Sequence, residues 1–357
     1  MRNAAPSASP TMHQIAERAG VGKATVSLAL RDDPRLRPET RRRIQRLAAE
    51  MGYRTNPTIA NLMAQLRASR SSKYHAAIGL LNASPDREAL TAARPVREWI
   101  NGCHDRADQL GYGLEPFWLH EPGVAPARLA ALLESRNIRG LVIAGLIEPA
   151  GVPNPFDILW RRFSCVALGS RPACPPLNHS TNDHFSTALE AVQHLNERGF
   201  RRIGLVIGAN LDAAVERRYS AGFWAAHESL PNCARIPAFA FNPFHEPRFR
   251  AWQAEHRPDA ILTLHEEIEA WLHEVRFEHI ALAHLDHHDQ LQGWSGMRQN
   301  HATAGAAAID MLVGQLHRNE VGPPDSPIAT FIKSTWIDAA TVAHVEIGSP
   351  IAESLVS

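Results

Sequence analysis

Residues 11–30 read TMHQIAERAGVGKATVSLAL, and this stretch decides how the rest of the chain is read. Its apolar residues fall into two short helical patterns on either side of the step Ala19-Gly20-Val21. In the first, Met12, Ile15, Ala16 and Ala19 recur one turn apart. Thr11, with Gln14 three residues on, forms a capping box that starts this helix. In the second, Val21, Val26, Ala29 and Leu30 make an inward stripe, while Lys23, Ala24, Ser27, Leu28 and Arg31 face elsewhere. Two short helices joined by a tight turn holding a Gly are the helix-turn-helix pattern. The second helix of such a pair can enter the major groove, where every base pair shows a distinct set of donors and acceptors.

A phosphate loop is excluded at the same place. Gly20-Val21-Gly22-Lys23-Ala24-Thr25 has Glu17 where the leading Gly belongs, and Ala24 rather than Ser or Thr follows Lys23. A third helix is expected from Pro38, a residue suited to a first helical position. Ile44, Leu47 and Ala48 face inward there, Arg41, Arg42, Arg43 and Arg46 face out, and Gly52 is a stop. Beside a helix-turn-helix, that Arg run is read as phosphate contact.

Net charge supports the same direction. The 357 residues carry 37 Lys and Arg against 37 Asp and Glu, a formal net charge of zero. The charge is split, however. Residues 1–73 hold 14 Lys and Arg against 5 Asp and Glu, a balance of +9, and the remainder is −9. A basic end on an acidic body is an electrostatic footprint for nucleic acid. Residues 1–10 read as a disordered arm. No apolar h-region follows Met1 and no apolar run nears the ~20 residues that span a bilayer, so neither signal peptide nor membrane contact is expected. The four cysteines, Cys103, Cys165, Cys174 and Cys233, are scattered. Reduced thiols and a cytoplasmic location are expected.

The anchors Ile15-Ala16, Ala19-Gly20-Val21, Thr25-Val26-Ser27, Thr40-Arg41, Gly52-Tyr53 and Asn56 together resemble the DNA-binding headpiece of the lac repressor/galactose repressor family of bacterial transcription regulators. Some positions depart. Gly22 stands where the family usually has a Ser cap, Leu28 replaces a polar base-reading residue, and Thr55 replaces the Pro before Asn56. The resemblance implies DNA contact by Thr11, Lys23, Ala24, Thr25, Ser27, Leu28, Arg31, Arg41, Tyr53, Asn56 and Leu62. Leu62 would lie on a short helix over 58–67, too short to be stable alone. In the family the matching segment folds on the operator and wedges paired leucines into the minor groove. Ile59 stands at a small-residue position of that segment, so Met63 or a shifted register stays open.

From residue 76 apolar runs alternate with helical patterns. Strands are expected at 76–81, 114–119, 140–144, 164–168, 202–207, 236–241, 260–264, 280–286 and 329–337. Helices are expected at 96–110, 126–135, 184–198, 216–230, 247–256, 267–274 and 302–318. Such alternation gives doubly wound parallel sheets, and nine strands with a break near 172–181 suggest two lobes. The resemblance then implies an all-α helix-turn-helix headpiece plus an α/β, two-lobed, periplasmic-binding-protein-like domain. The expected layout is an arm over 1–10, the headpiece over 11–57, a hinge and linker over 58–75, the two-lobed domain over 76–345 and a tail over 346–357. The chain should cross between lobes near 175–182, 287–300 and 320–328. The tail lacks leucine heptads, so a homodimer is expected.

A ligand cleft should lie between the lobes at the carboxyl ends of strands. Strand ends give Asn82-Ala83-Ser84, Gly145-Leu146 and Asp286, and Asn182-Asp183 lie at a crossing. Against sugar-binding relatives, Tyr219 stands where they carry an Arg, His265 where they carry Asn, and Asp286 where they carry a hydroxyl-binding Asp. Phe244 is the candidate aromatic platform. The effector residues are therefore Ser84, Asp183, Tyr219, Phe244, His265 and Asp286, with a sugar-like small molecule as ligand. The run His284, Asp286, His287, His288 and Asp289 fits no common zinc spacing and is read as a solvated loop, so no metal or cofactor is expected. No G-x-S-x-G, H-E-x-x-H or paired catalytic carboxylate pattern occurs, which argues against an enzyme.

The expected function is a transcription regulator, a repressor, that binds double-stranded operator DNA as a homodimer under control of a cleft ligand. Two alternatives stay open: a solute-binding module without DNA function, and a regulator that has lost its effector response. The basic headpiece argues against the first; the Tyr219 and His265 departures keep the second in view.

Overall fold

The computed structural model describes residues 12–30, 36–51, 53, 76–145, 156–169, 176–243, 245–274 and 280–339. The chain divides into two compact units, Met1–His75 and Ala76–Ser357. The expected arm, the 58–75 hinge, the 346–357 tail, the Thr11 cap and the Gly52 stop lie outside the described residues.

The first unit holds helices α1 (Met12–Ala19), α2 (Lys23–Leu30) and α3 (Pro38–Glu50). Their apolar stripes meet in one core of Ile15, Ala16, Ala19, Val26, Ala29, Ile44 and Ala48, with Val21, Leu30, Leu47 and Tyr53 packed around it. Gly20 makes the turn possible. Its φ of +65° is left-handed, a conformation that costs glycine little. Its amide donates to the Glu17 carbonyl and the Val21 amide to Ala16, which ends α1. Gly22 offers α2 no side-chain cap, but its carbonyl accepts from the Thr25 and Val26 amides.

Helix α3 begins with Pro38 in its first turn, as its φ favours. It also closes the ends of the other two helices. The Arg43 guanidinium donates to the Ala19 carbonyl at 3.2 Å, and the Gln45 amide to the Ala29 carbonyl at 2.9 Å. Carbonyls at helix ends lack intrahelical partners and carry partial negative charge, so a cation there stabilises. The expected outward Arg face is seen: Arg42, Arg43 and Arg46 are exposed and Arg41 is half-buried, with the Arg43 guanidinium also reaching the end of α1.

The second unit contains two six-stranded sheets. The first lobe's sheet runs β11-β5-β4-β3-β1-β2, with β1 at Ala76–Asn82, β2 at Tyr112–Trp118, β3 at Gly140–Ala144, β4 at Ser164–Leu168, β5 at Asn178–Asn182 and β11 at Ala329–Ile332, all parallel. The second lobe's sheet runs β12-β10-β9-β8-β6-β7, with β6 at Ile203–Gly208, β7 at Phe239–Phe241, β8 at Ala260–Thr263, β9 at Ala281–His284, β10 at Ser295–Arg298 and β12 at Thr335–Ile337. Only β12 is antiparallel there, against β10.

Helices cover both faces of each sheet. On the first sheet, α5 (Arg94–Gln109) and α13 (His301–Arg318) pack one face through Cys103, Ala107, Ala304, Ala308 and Leu312. Helices α6 (Pro126–Ser135) and α7 (Asp157–Arg162) pack the other through Leu129, Leu133, Leu159 and Trp160. On the second sheet, α8 (His184–Glu197) and α10 (Arg218–Ser229) fill one face with Ala188, Val192, Leu195, Phe223 and Ala226. Helices α11 (Glu246–His256) and α12 (Ile268–Glu274) cover the other with Phe249, Trp252, Ile268 and Leu272. Short helices α4 (Ala89–Ala92) and α9 (Ala209–Ala214) complete the set.

Two strands escape an apolar scan. β5 reads NHSTN yet is buried along its whole length, and β10 reads SGMR. Several polar groups of β5 are paired instead. The Ser180 hydroxyl donates to the Ala304 carbonyl at 2.8 Å, and the Ile328 amide donates to Asn178 Oδ1 at 2.7 Å. The apolar run 329–337 is two strands in different sheets, broken at Lys333-Ser334. The crossings accordingly fall at Asp183, at Gln299-Asn300 and at Lys333-Ser334. The first lies just past the expected segment, the second at its end, and the third is displaced from 320–328. A sheet switch needs only two residues when the strands lie end to end, so no long connector marks it in the sequence.

Candidate functional site

The exposed face of α2 is the first candidate. Lys23 is its first residue and is exposed; Thr25 and Leu28 are half-buried. Ala24 and Ser27 lie in the same helix. Tyr53 is half-buried against the headpiece core, and its amide donates to the Ala48 carbonyl at 2.9 Å. It therefore closes α3 as well as lying near the end of the unit's described residues. Thr11, Arg31, Asn56 and Leu62 lie outside the described residues.

The second candidate is built where two crossings meet the end of β9. Asp286 is 6 % exposed. Its Oδ2 accepts from the Arg94 guanidinium at 2.5 Å, and its Oδ1 faces His301 Nε2 at 2.9 Å. Arg94 Nη2 also reaches the Asp286 carbonyl at 3.3 Å. His301 Nδ1 faces Asn182 Oδ1 at 2.9 Å, and that same oxygen accepts from Trp99 Nε1 at 2.9 Å. An indole nitrogen can only donate, which fixes which way the Asn182 amide points. The His301 ring thus stands between two oxygens, one within hydrogen-bond distance of each ring nitrogen.

Tyr219 completes this hub. It is 3 % exposed, its hydroxyl accepts from Gln299 Nε2 at 2.7 Å, and its ring lies 4.9 Å from that of His184. Gln299 also donates to the Leu285 carbonyl at 2.9 Å. Three buried polar atoms here, Asn182 Nδ2, His184 Nδ1 and Gln299 Oε1, have no hydrogen-bond partner among the described residues. Buried polar groups without partners are rare, so these atoms suit water or a polar ligand.

Electrostatics follow from the packing. Burial raises the Asp286 carboxyl, but the His301 hydrogen bond and charge, with Arg94 and His284, outweigh it and hold the group below its usual value. Burial lowers His184 to about 4, helped by the charges of His301 and Arg218. Burial likewise lowers His284 to about 4. Burial pushes the Tyr219 phenol up, so it stays protonated.

The other candidates are engaged locally. Asp183 caps α8: its Oδ1 accepts from the Ser186 amide at 3.1 Å and its Oδ2 from the Ser186 hydroxyl at 2.7 Å. Ser84 shapes the turn after β1, accepting from the Asp86 amide at 3.1 Å. His265 Nε2 accepts from the Gly208 amide at 3.1 Å, which leaves its Nδ1 as the donor, and burial lowers the ring. Phe244 lies outside the described residues. Of the six, the structure brings Asp286 and Tyr219 together and gives Ser84, Asp183 and His265 local work.

The 284–289 run is not a solvated loop. His284, Asp286 and His287 are buried, His288 Nε2 lies 3.2 Å from Glu266, and Asp289 pairs with Arg298. The run folds inward because β9 ends inside it and delivers Asp286 to the hub. No group of three or more His, Cys, Asp or Glu side chains suited to a metal lies among the described residues. Cys103, Cys165 and Cys233 are buried free thiols, and burial raises Cys103 to about 12, so it is inert.

Sequence reading missed Arg94, Trp99, His184, Gln299 and His301. A signal existed. Asn182-Asp183-His184 and Gln299-Asn300-His301 are each two polar residues followed by a His that opens a helix. The same grammar at both crossings marks one shared site.

Comparison with known proteins adds the following. Residues 11–56 match the family model described as bacterial regulatory proteins, lacI family. The HTH-type transcriptional regulator CelR of Thermobifida fusca is 24% identical over 212 residues, 58% of each chain. The HTH-type transcriptional regulator PtxS of Pseudomonas aeruginosa is 28% identical over 197 residues, 55% of this chain and 53% of that one. The alignments thus span a little over half the length of these curated relatives. Among solved structures, a CelR–cellobiose complex matches with a TM-score of 0.54 and 18% identity, covering 93% of this chain and 99% of that one. The lac repressor dimer bound to operator and the anti-inducer ONPF matches with a TM-score of 0.56 and 19% identity, covering 94% and 99%. These likenesses establish the fold: a helix-turn-helix unit followed by a two-lobed, periplasmic-binding-protein-like α/β unit.

Proposed function

We propose, from the premise that residues 11–56 belong to the lacI family of bacterial regulatory proteins, that this chain is a sequence-specific DNA-binding transcription regulator that acts as a repressor. The carrying observation is the exposed α2 face with Lys23 at its start, on a unit with its own core. A three-helix unit this small has no room for a buried catalytic site, whereas a short helix in the major groove needs only surface. Relatives of this chain are transcription regulators, and we infer that it is not an enzyme. No described helix is long and apolar enough to cross a membrane. A DNA partner places its work in the cytoplasm.

The chain acts as a homodimer on a pseudo-palindromic operator. Support comes from β2, an edge strand bordered by an apolar groove of about 510 Å³ whose walls include Leu90, Phe117, Trp118 and Leu132. An unpaired edge with apolar side chains is unstable against association, so a partner copy is the economical cover.

The effector is a small, polar, hydroxyl-bearing molecule bound between the lobes at the Asp286 hub. The unpartnered Asn182 Nδ2 and Gln299 Oε1 suit a ligand with both acceptors and donors. A cellobiose complex of a structural neighbour favours a sugar-like ligand. Ser84, His265 and Phe244 stay as secondary contacts, and Asp183 acts by fixing the start of α8. The proposed layout is an arm over 1–10, a headpiece over 11–57, a hinge and linker over 58–75 and a tail over 346–357, with the hinge helix over 58–67 transmitting the signal. An alternative reading has observational support: Arg94 already fills Asp286, so the chain could regulate without an effector.

The test is a gel shift with the chain's own upstream DNA, comparing wild type with Lys23→Ala. Loss of Lys23 is expected to cost about 1–3 kcal/mol and to relax preference at one base pair per half-site. An equal loss on all sequences would make Lys23 a phosphate contact only. A failure of wild type to shift any duplex would remove the DNA reading.

A further inference from the structure

Asp286 belongs to the second lobe, yet its carboxylate is held by two helices of the first. Arg94 is the first residue of α5 and His301 the first of α13. These helices touch backbone to backbone. A Cβ at Gly102 would sit 1.9 Å from the Ala302 carbonyl oxygen, and one at Gly305 1.9 Å from that of Trp99. Cys103 Sγ adds a bond to the Gly305 carbonyl at 3.3 Å. The two residues that hold Asp286 therefore stand on one rigid platform. Glu98, one turn along α5, holds Arg94 from the other side at 2.9 Å. A polar cavity of about 290 Å³ opens beside the pair, lined by Arg94, Glu98, His287, Arg298 and His301.

We infer that Arg94 and His301 form an internal latch, drawing the two lobes together on Asp286 without a ligand, so that a cleft ligand must displace Arg94 to act. The last clause rests on the reading of the cleft as the effector site; the latch itself does not. A buried carboxylate needs its charge met, and here both oxygens are met by groups of the opposite lobe. Separation of the lobes returns the charges to water, which offsets much of the attraction lost. The closed arrangement is therefore favoured by a modest margin, small enough for a ligand of ordinary affinity to reverse. Arg94 is the releasable half, since its side chain is 24 % exposed against 9 % for Asp286 and 3 % for His301.

Hydrogen exchange on the full chain, without ligand or DNA, tests this. Arg94→Ala should speed exchange at least tenfold in 284–288 and 299–301, while β3 and β6 keep wild-type protection. Arg94→Lys, which keeps the charge, should fall between the two. Wild-type protection of those segments in Arg94→Ala would overturn the latch. Loss of protection throughout, β3 and β6 included, would also overturn it, because Arg94 would then be a residue of the fold. Because no ligand enters the experiment, its failure leaves the effector reading standing, and failure of that reading leaves the latch.

Discussion

Removal of residues 1–73 is expected to abolish specific DNA binding and to leave a folded body. The segment carries a balance of +9 while the rest of the chain carries −9, so the body repels the phosphate backbone that the headpiece attracts. Among the described residues, the body's hydrophobic clusters are built from residues 77 onward and the headpiece core from residues up to 53, so each unit has a core of its own. Affinity of the intact chain should fall steeply with salt, each neutralised phosphate adding about −0.9 to the log–log slope. The check is fluorescence anisotropy of both forms with one labelled duplex across a salt series. Retained, salt-sensitive binding by the truncated chain would place the DNA site elsewhere.

Asp286→Ala is expected to do two things at once. It strands Arg94 and His301 without their shared anion, and breaking a buried pair from one side costs about 3–5 kcal/mol. Arg94 is 24 % exposed and can turn to water or to Glu98, which favours the lower end, about 3 kcal/mol. It also removes the proposed effector contact, so operator affinity should no longer respond to any metabolite that moves the wild type. Urea unfolding at several pH values separates these effects. The Asp286 carboxyl is depressed in the folded state, so its stabilisation is present above the usual carboxylate value and fades as pH falls through the folded value. The variant should lack that acid limb. His184 and His284 act at higher pH. Both are lowered to about 4, so between their usual value near 6.5 and about 4 the unfolded chain binds protons that the folded chain refuses. Stability contributed by those rings is full above pH 6.5 and declines as pH falls across that window. A variant with wild-type stability and an unchanged acid limb would contradict the hub.

The headpiece was legible because its signals are local. Ile15, Ala19, Val26 and Ile44 bury themselves at helical spacing, and Gly20 takes the positive φ its turn requires. What α3 does was not legible. Arg43 looks like its neighbours in sequence and is exposed like them, and only the position of the Ala19 carbonyl gives its guanidinium a partner at the end of α1. In the body, strands such as β3 and β4 announce themselves as apolar runs, but β5 does not, because its burial is satisfied by hydrogen bonds rather than by apolar surface. The cleft was the least legible part. Asp286 was found from a strand end, while its partners Arg94 and His301 lie 192 and 15 residues away and meet it only through the sheet switch. Asp183, a plausible ligand from position alone, proved to be a helix cap, the commoner use of an aspartate before a helix.

On the proposed function, this chain reads DNA sequence through a paired headpiece. Selection of duplexes from a random pool by the full-length chain, followed by sequencing, tests it most directly. Enrichment of an inverted repeat of two half-sites is expected, with one base-pair preference per half-site lost in Lys23→Ala. Recovery of an unenriched pool, or of a single half-site with no inverted partner, would contradict it.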